Sequence, residues 1–397
     1  MKSKIAVLTV LYAHVLLIPW IDIFPDFLIR YGPLLLSVYI YFSINNGRLY
    51  SKYNFDTILG LLLLSLAVCT IITSISVNTI DVDSVTQHTA KDKYANNGIA
   101  FGITTAIKVL LSFVFVQYVK DKKAVGAFIN SLYKVLLFYV VISGVDIILF
   151  GVRETGSGYI MGNKFTVSYL YMFFAIIYAV KNKMVLSGKS YYFPILIISL
   201  IVSIAVHCST AVMGILLLLM FKLFGIMRKY IVYNVYAFIV LIACSILFAV
   251  FYPFILQIPF VQYIIVDVLG EDLTLTGRTY IYDAVMNVIE LNPLWGMGIG
   301  NSYQLLSYLY RIPNAQNGFI NLFLEQGAIG CSLTMIITLY LVNKQKREKQ
   351  TGVTIPIICL TFTMIFLALV EITIDLRYVF LLTLLQITDK DIKESTI

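Results

Sequence analysis

The sequence is poor in charge. Only 13% of its 397 residues are charged, whereas a typical soluble domain has roughly a quarter. Hydrophobic residues make up 60% of the chain. They come in blocks of roughly 20 residues, the length with which a helix crosses about 30 Å of hydrocarbon, and the blocks lack strand-type alternation. These features exclude a soluble globular domain and predict an all-α polytopic membrane protein.

Cysteine and histidine are also scarce, with five and three residues respectively. No CxxC or other ligand spacing occurs, so neither a disulfide framework nor a zinc site is indicated. Asp81 and Asp83 have a spacing used by metal-dependent sugar transferases, but they lie in a polar, charged segment and are interpreted as solvated. We therefore expect no metal and no cofactor.

The apolar blocks predict about twelve transmembrane helices within a single membrane domain, residues 1–397. The first block follows Met1-Lys2-Ser3-Lys4 without a small-residue cleavage pattern, so it is interpreted as a retained span. The blocks lie near Ile5–Ile21, Leu28–Ile44, Thr57–Val77, Gly98–Val119, Gly126–Phe150, Phe165–Val180, Tyr192–His207, Thr210–Ile226, Val235–Leu256, Gly318–Val342, Val353–Val370 and Leu376–Ile387.

The net charge of +8 indicates membrane orientation rather than nucleic-acid binding. With the N-terminus inside, the inner segments contain more than twice as many lysines and arginines as the outer ones, and the positive-inside rule predicts cytoplasmic termini. The external segments are then 78–97, 151–164 and 257–317. The last is long for a connection without a function. Its apolar residues recur at helical spacing between Gly277-Arg278 and Asn292-Pro293, which predicts an amphipathic helix on the outer leaflet.

Two external arginines lie beside features that suit an anion. Arg278 begins the predicted amphipathic helix, where free N–H groups would lie beside a guanidinium able to hold a diphosphate. Arg153 precedes a glycine-rich turn that ends in Asn163 and Lys164, and glycines let backbone N–H groups approach an anion. The alternative is that both arginines contact lipid headgroups or anchor loops at the interface.

Other outer residues leave two interpretations open. Arg311 and Arg377 are further outer cations, and Arg377 lies near Asp375 and Glu371. Ionisable groups at such depth tend to face a cavity, although a structural salt bridge explains them equally well. Gly296, Gly298 and Gly300, followed by Asn301, favour a tight re-entrant turn over direct contact with a sugar.

Two patterns resemble a known family. The first runs from Gly277-Arg278 through Asn292-Pro293-Leu294-Trp295-Gly296-Met297-Gly298-Ile299-Gly300 to Gln316-Asn317, which nine residues separate from Gly327-Ala328-Ile329-Gly330. The second is Arg153 with Gly156 and Asn163. Together they resemble the bacterial O-antigen ligase and Wzy-type polysaccharide polymerase superfamily.

The resemblance implies a GT-C-like glycosyltransferase in the bacterial cytoplasmic membrane, with its active site on the external face. The substrate would be an oligosaccharide on polyprenyl diphosphate, transferred to an acceptor hydroxyl without metal or nucleotide. A flippase and a chain-length regulator of the same pathway would be its partners. Arg278 and Arg153 would hold the diphosphate, and Glu371 is favoured as general base over Asp283 and Glu325. The expected substrate-binding residues are Gln316, Asn317, Asn163, Lys164, Arg311, Arg377, Gly298, Gly300 and Asn301.

Gln316 stands where the family's ligases have histidine. A glutamine cannot accept and release a proton at neutral pH, and it positions groups only by hydrogen bonding. We therefore favour a polymerase of capsule, exopolysaccharide or O-antigen over a ligase. A flippase remains the alternative of another class. Lys108 and Lys134 could line its central cavity, but the clustering of arginines on one face argues against it.

Overall fold

The computed structural model describes residues 2–18, 26–47, 55–76, 91–153, 158–185, 192–227, 230, 234–255, 258–263, 278–299, 301, 305–306, 310, 312, 314–347 and 354–396. These parts are helical apart from turns and one isolated β-bridge. The helices are α1 (Lys2–Leu16), α2 (Asp26–Ile44), α3 (Thr57–Ser76), α4 (Lys91–Asp121), α5 (Val125–Phe150), α6 (Lys164–Val185), α7 (Tyr192–Ala205), α8 (Ser209–Leu223), α9 (Gly225–Met227), α10 (Val235–Ile255), α11 (Pro259–Tyr263), α12 (Arg278–Glu290), α13 (Gly318–Arg347), α14 (Ile355–Leu367), α15 (Leu376–Leu384) and α16 (Asp389–Thr396).

Each predicted apolar block coincides with a helix. In the described residues, five helical segments are long and apolar enough to cross a membrane: Thr57–Ser76, Ile99–Asp121, Val125–Phe150, Lys164–Asn182 and Gly318–Lys346. Five shorter apolar helices accompany them. The polytopic all-α class is thus confirmed, while the number of spans stays a prediction. One boundary differs, because α4 begins at Lys91 and continues through polar residues that were assigned to an external loop.

Polar contacts of lysine side chains join three pairs of helix ends. Lys4 Nζ donates to the Ser43 carbonyl at 2.5 Å. Lys120 Nζ lies 3.2 Å from Asp391, and Lys344 Nζ lies 2.7 Å from Asp56. The sequence predicts all these ends to be on the cytoplasmic side. Residues 151–153, 158–163 and 368–377 lie at the opposite ends of their helices, on what we call the cavity face.

The predicted amphipathic helix α12 is present. The prediction that its apolar face contacts lipid is wrong, because protein side chains cover that face. Val285 and Val288 are fully buried in a second hydrophobic core that includes Leu305, Leu306 and Leu324. The segment after the helix folds back over it, so protein side chains cover the stripe that lipid was expected to cover.

Helix α13 is broken at Gly327, whose φ of 62° and ψ of −171° are not helical. The glycine segment, residues 292–298, docks into this break through main-chain hydrogen bonds. Met297 N donates to Leu324 O at 2.7 Å, and Ala328 N donates to Pro293 O at 2.9 Å. A Cβ on Gly327 would overlap the Leu294 carbonyl, so the close approach requires glycine.

Candidate active site

A cavity of about 530 Å³ opens where α1, α4 and α6 meet the linker between α14 and α15. Three of the residues predicted to act on substrate line it: Asn163, Glu371 and Arg377. Polar and charged residues that were not assigned to this site also line it: His14, Lys108, Tyr169, Asn314 and Asp375. The structure therefore gathers residues from distant parts of the chain into one polar cavity.

Arg377 is oriented by a carboxylate and an aromatic ring. Its Nε and Nη2 groups lie 2.8 and 2.5 Å from Asp375 Oδ2, and Nη2 also donates to the Ile372 carbonyl at 3.3 Å. The guanidinium carbon lies 4.7 Å from the centre of the Tyr169 ring. Asp375 additionally caps α15 by accepting the Arg377 N–H. The salt bridge considered from sequence is thus present, and it lies in the cavity wall.

Glu371 lies in the linker between α14 and α15, and a backbone hydrogen bond ties this linker to α13. Its carboxylate accepts the Ile372 N–H at 3.0 Å, and its charge acts on neighbouring Arg377. Gly318 N donates to Ala368 O at 2.7 Å. A carboxylate in a polar cavity can accept a proton, so Glu371 is a candidate general base.

Asn163 and Lys164 begin α6 at the rim of the cavity. The Asn163 side-chain oxygen accepts the Thr166 N–H at 2.9 Å, which caps the helix. Lys164 Nζ lies 5.6 Å from the centre of the Phe165 ring. Asn163 lines the cavity itself, whereas Lys164 follows it on the half-buried first turn.

Arg153 is paired with a buried carboxylate. Its Nη2 lies 2.7 Å from Oδ1 of Asp146, whose side chain is fully buried. The second carboxylate oxygen, Oδ2, accepts the Ile160 N–H at 2.8 Å, and Arg153 Nη1 donates to the Gly158 carbonyl. Arg153 and Asp146 together hold the short hairpin closed by Tyr159 and Gly162, which leads directly into Asn163.

Gln316 and Asn317 form the junction before α13. Asn317 is fully buried, and its side-chain oxygen accepts the N–H groups of Phe319 and Ile320 at 2.9 and 3.0 Å. Its Nδ2 donates to Leu369 O at 2.9 Å. Gln316 has a φ of 48°, and its N–H donates to Asn314 Oδ1 at 2.9 Å. Asn317 is therefore a helix cap that also ties α13 to the linker carrying Glu371.

Gly298 is the last residue of the glycine segment, and Asn301 follows it in the same turn. Gly298 has a φ of 85°, and its N–H donates to Glu325 O at 3.0 Å. Asn301 is buried, and its Nδ2 donates to Met297 O at 3.0 Å. Both residues shape the turn. Arg311, Gly300 and the side chain of Arg278 lie outside the described part of the structure, so their predicted roles stay predictions.

Lys108, Tyr169 and Asp146 were not assigned to the active site from the sequence. For two of them the sequence does carry a signal, because Lys108 and Asp146 are charges inside apolar spans, where ionisable groups are costly and commonly functional or paired. Asp146 also precedes Arg153 by seven residues. Tyr169 has no such signal, since tyrosine is common in this chain, with 28 residues.

Residues 194–335 match a family model described as O-antigen ligase. The matched segment is less than half of the chain. It includes α12, the glycine segment and the first part of α13, whereas Lys108, Glu371 and Arg377 lie outside it. No curated protein matches the chain. The family implies a lipid-linked oligosaccharide substrate in a membrane. The match supports the O-antigen ligase and Wzy superfamily of membrane glycosyltransferase-like enzymes, and it does not separate ligase from polymerase.

Proposed function

We propose that the protein is a polysaccharide polymerase acting at the external face of the bacterial cytoplasmic membrane. It transfers a glycan from polyprenyl diphosphate to an acceptor sugar hydroxyl of a second lipid-linked repeat unit. The observation that carries this proposal is the cavity in which Glu371, Arg377 and Asn163 converge. It supplies a base, a cation and a hydrogen-bonding amide on one face of the protein.

In the proposed reaction the acceptor hydroxyl attacks the anomeric carbon of the donor sugar. The bond from that carbon to the diphosphate oxygen breaks, and the prenyl diphosphate leaves with the electron pair. The hydroxyl proton passes to Glu371. Negative charge grows on the leaving group, so preplaced cations stabilise the transition state more than the ground state. Arg377 and Arg278 are assigned this task. Arg153 is a positioning residue in this scheme because its guanidinium holds Asp146 and the hairpin ahead of Asn163.

The polymerase is favoured over the ligase because of Gln316. An amide at the position of the family's histidine supplies hydrogen bonds without proton transfer. Glu371, fixed by the linker to α13, would supply the base instead. A ligase would use the same donor and a different acceptor, so the two activities are distinguished by the acceptor alone.

The test uses purified protein in vesicles that contain a lipid-linked repeat unit. We expect longer glycans and released prenyl diphosphate, with no transbilayer movement of the repeat. Movement without elongation would instead indicate a flippase, and transfer only to a lipid A core acceptor would indicate a ligase. In cells, Arg278→Ala should abolish polymer while single lipid-linked repeats persist, with Arg278→Lys retaining part of the activity. Normal chain length in Arg278→Ala would refute the assignment.

A further inference from the structure

Lys108 is a buried cation in the middle of a predicted span. It is 5% exposed and lies nine residues after the start of the apolar segment Ile99–Asp121. At a rise of 1.5 Å per residue, its Cα is about 14 Å along the helix, near the middle of a hydrocarbon layer of about 30 Å. Because Lys108 also lines the polar cavity, the cavity extends from the cavity face to this depth.

No carboxylate pairs with Lys108 among the residues that the structure describes. Its contact there is the face of the Phe101 ring, 5.6 Å from Nζ to the ring centre. The other carboxylates of the cavity are engaged elsewhere, since Asp375 binds Arg377 and Glu371 accepts a backbone N–H. Burying an unpaired ammonium is costly. An anion bound in the cavity would supply the negative charge that the described part of the chain does not.

Two further donors point to the same kind of ligand. Tyr169 is 1% exposed and lines the cavity, and within the described residues its hydroxyl has no hydrogen-bond partner. Arg377 is held over the Tyr169 ring. Its Nη1 has no hydrogen-bond partner in the same part of the chain, whereas Nε and Nη2 contact Asp375. An ammonium, a hydroxyl and a guanidinium edge together match an anion with many acceptor oxygens.

We infer that Lys108, Tyr169 and Arg377 form a binding subsite for the diphosphate of a prenyl diphosphate. The identity of this anion rests on the proposed function. The Arg377–Asp375 pair carries no net charge, so Lys108 supplies the net positive charge of the subsite, and Arg377 and Tyr169 donate hydrogen bonds beside it. The depth of Lys108 suits a lipid whose tail lies in the hydrocarbon while its diphosphate is drawn into the cavity. The sugar then lies above it, towards Glu371 and Asn163.

The test measures binding of farnesyl diphosphate to the purified full-length protein in detergent, with farnesol as the neutral control. Lys108→Met removes the charge and keeps the side-chain length, and Lys108→Arg keeps the charge. Lys134→Met is the matched control, because Lys134 also lies within a predicted span but is exposed and outside the cavity. Tyr169→Phe removes the hydroxyl alone, so it provides a second variant that preserves packing.

We expect Lys108→Met to weaken farnesyl diphosphate binding at least tenfold, Tyr169→Phe to weaken it about threefold, and Lys134→Met to leave it unchanged. Lys108→Arg should stay within about threefold of the wild type, and farnesol binding should not respond to any variant. The unliganded Lys108→Met protein should melt at the same temperature as the wild type or higher, since a buried charge has been removed. A structural role for Lys108 would instead lower its melting temperature.

Unchanged farnesyl diphosphate binding in both Lys108→Met and Tyr169→Phe would overturn this inference. If such variants still elongated a lipid-linked repeat, the proposed function would stand without this subsite. If the wild type bound farnesyl diphosphate no better than farnesol, the diphosphate donor of the proposed function would fail as well. The two failures are therefore distinguishable.

Discussion

The glycine segment and the cavity use their polar groups in opposite ways. In the glycine segment, backbone N–H and C=O groups form hydrogen bonds with the backbone at the break in α13. The side chain of nearby Asn317 caps α13 and donates a hydrogen bond to the Leu369 carbonyl. In the cavity, Lys108 and Tyr169 keep donors that no described residue accepts. The family match covers the first region and little of the second. The comparison indicates that a recognisable motif can support the backbone near a cavity whose polar side chains come from other parts of the chain.

The largest expected effect is at the break in α13, where the glycine segment docks. Gly327→Ala should prevent correct folding, because a Cβ would overlap the Leu294 carbonyl and the residue has a φ of 62°. Both the docking and the backbone conformation are lost together. The measurement is the yield of monodisperse protein and its melting temperature after extraction from membranes.

Two other glycines distinguish the effect of a positive φ from the effect of close packing. Gly47 has a φ of 78° with no atom within 4 Å of the position that a Cβ would occupy, and Gly60 would make only an ordinary contact at 3.5 Å with Phe55. Gly47→Ala should cost about 1–2 kcal/mol, the usual penalty for a left-handed residue, and Gly60→Ala should be close to neutral. A Gly327→Ala protein as stable as Gly47→Ala would show that the segment is not held by close packing.

Arg153 tests whether an outer arginine holds the protein fold together or contacts the substrate. Arg153→Met should destabilise the protein by about 3–5 kcal/mol, because it leaves the buried Asp146 carboxylate without its partner. Adding Asp146→Asn should restore part of the loss, since the remaining charge is removed. Thermal unfolding of the single and double variants is the measurement. If Arg153→Met abolished elongation at full stability, Arg153 would contact substrate rather than hold the hairpin.

The smallest effect is expected on the face opposite the cavity. Burial disfavours the charged form of Asp56, but hydrogen bonds from Lys344, Tyr340 and the Leu59 N–H outweigh it and lower its pKa from 3.8 to about 2. A carboxylate with a depressed pKa stabilises the fold above its unfolded pKa, and this contribution is lost as the pH falls towards the folded value.

Asp56→Asn should therefore cost about 1 kcal/mol or less at pH 6, and its difference from the wild type should shrink between about pH 4 and pH 2. Melting curves over this range provide the measurement. Elongation near neutral pH should not change, because Asp56 is remote from the cavity. A difference that persisted unchanged at pH 2 would contradict the role given to the Lys344 pair.

The helices were predictable from the sequence because apolar length sets a membrane span directly, and α12 followed from its periodicity. The environment of α12 was not predictable, since Met297, Leu305, Leu306 and Leu324 pack against it only in the folded chain. The break at Gly327 could not be inferred from Gly-Ala-Ile-Gly, because it depends on the approach of Leu294 from outside the helix. Likewise, Arg153 and Arg278 looked equivalent as outer cations. Only three-dimensional proximity shows that Arg153 is bound to Asp146, while Arg377 and Lys108 share a cavity.

The most direct test of the central claim is the rate of glycan elongation by Glu371→Gln in vesicles supplied with a lipid-linked repeat. Glutamine preserves the size of the side chain and keeps an oxygen that can accept the Ile372 N–H. It cannot take the proton of the acceptor hydroxyl. We predict a loss of roughly 100-fold or more in elongation, the usual range for a general base, with farnesyl diphosphate binding and melting temperature near those of the wild type. Elongation at the wild-type rate by a folded Glu371→Gln protein would contradict the placement of the chemistry in this cavity.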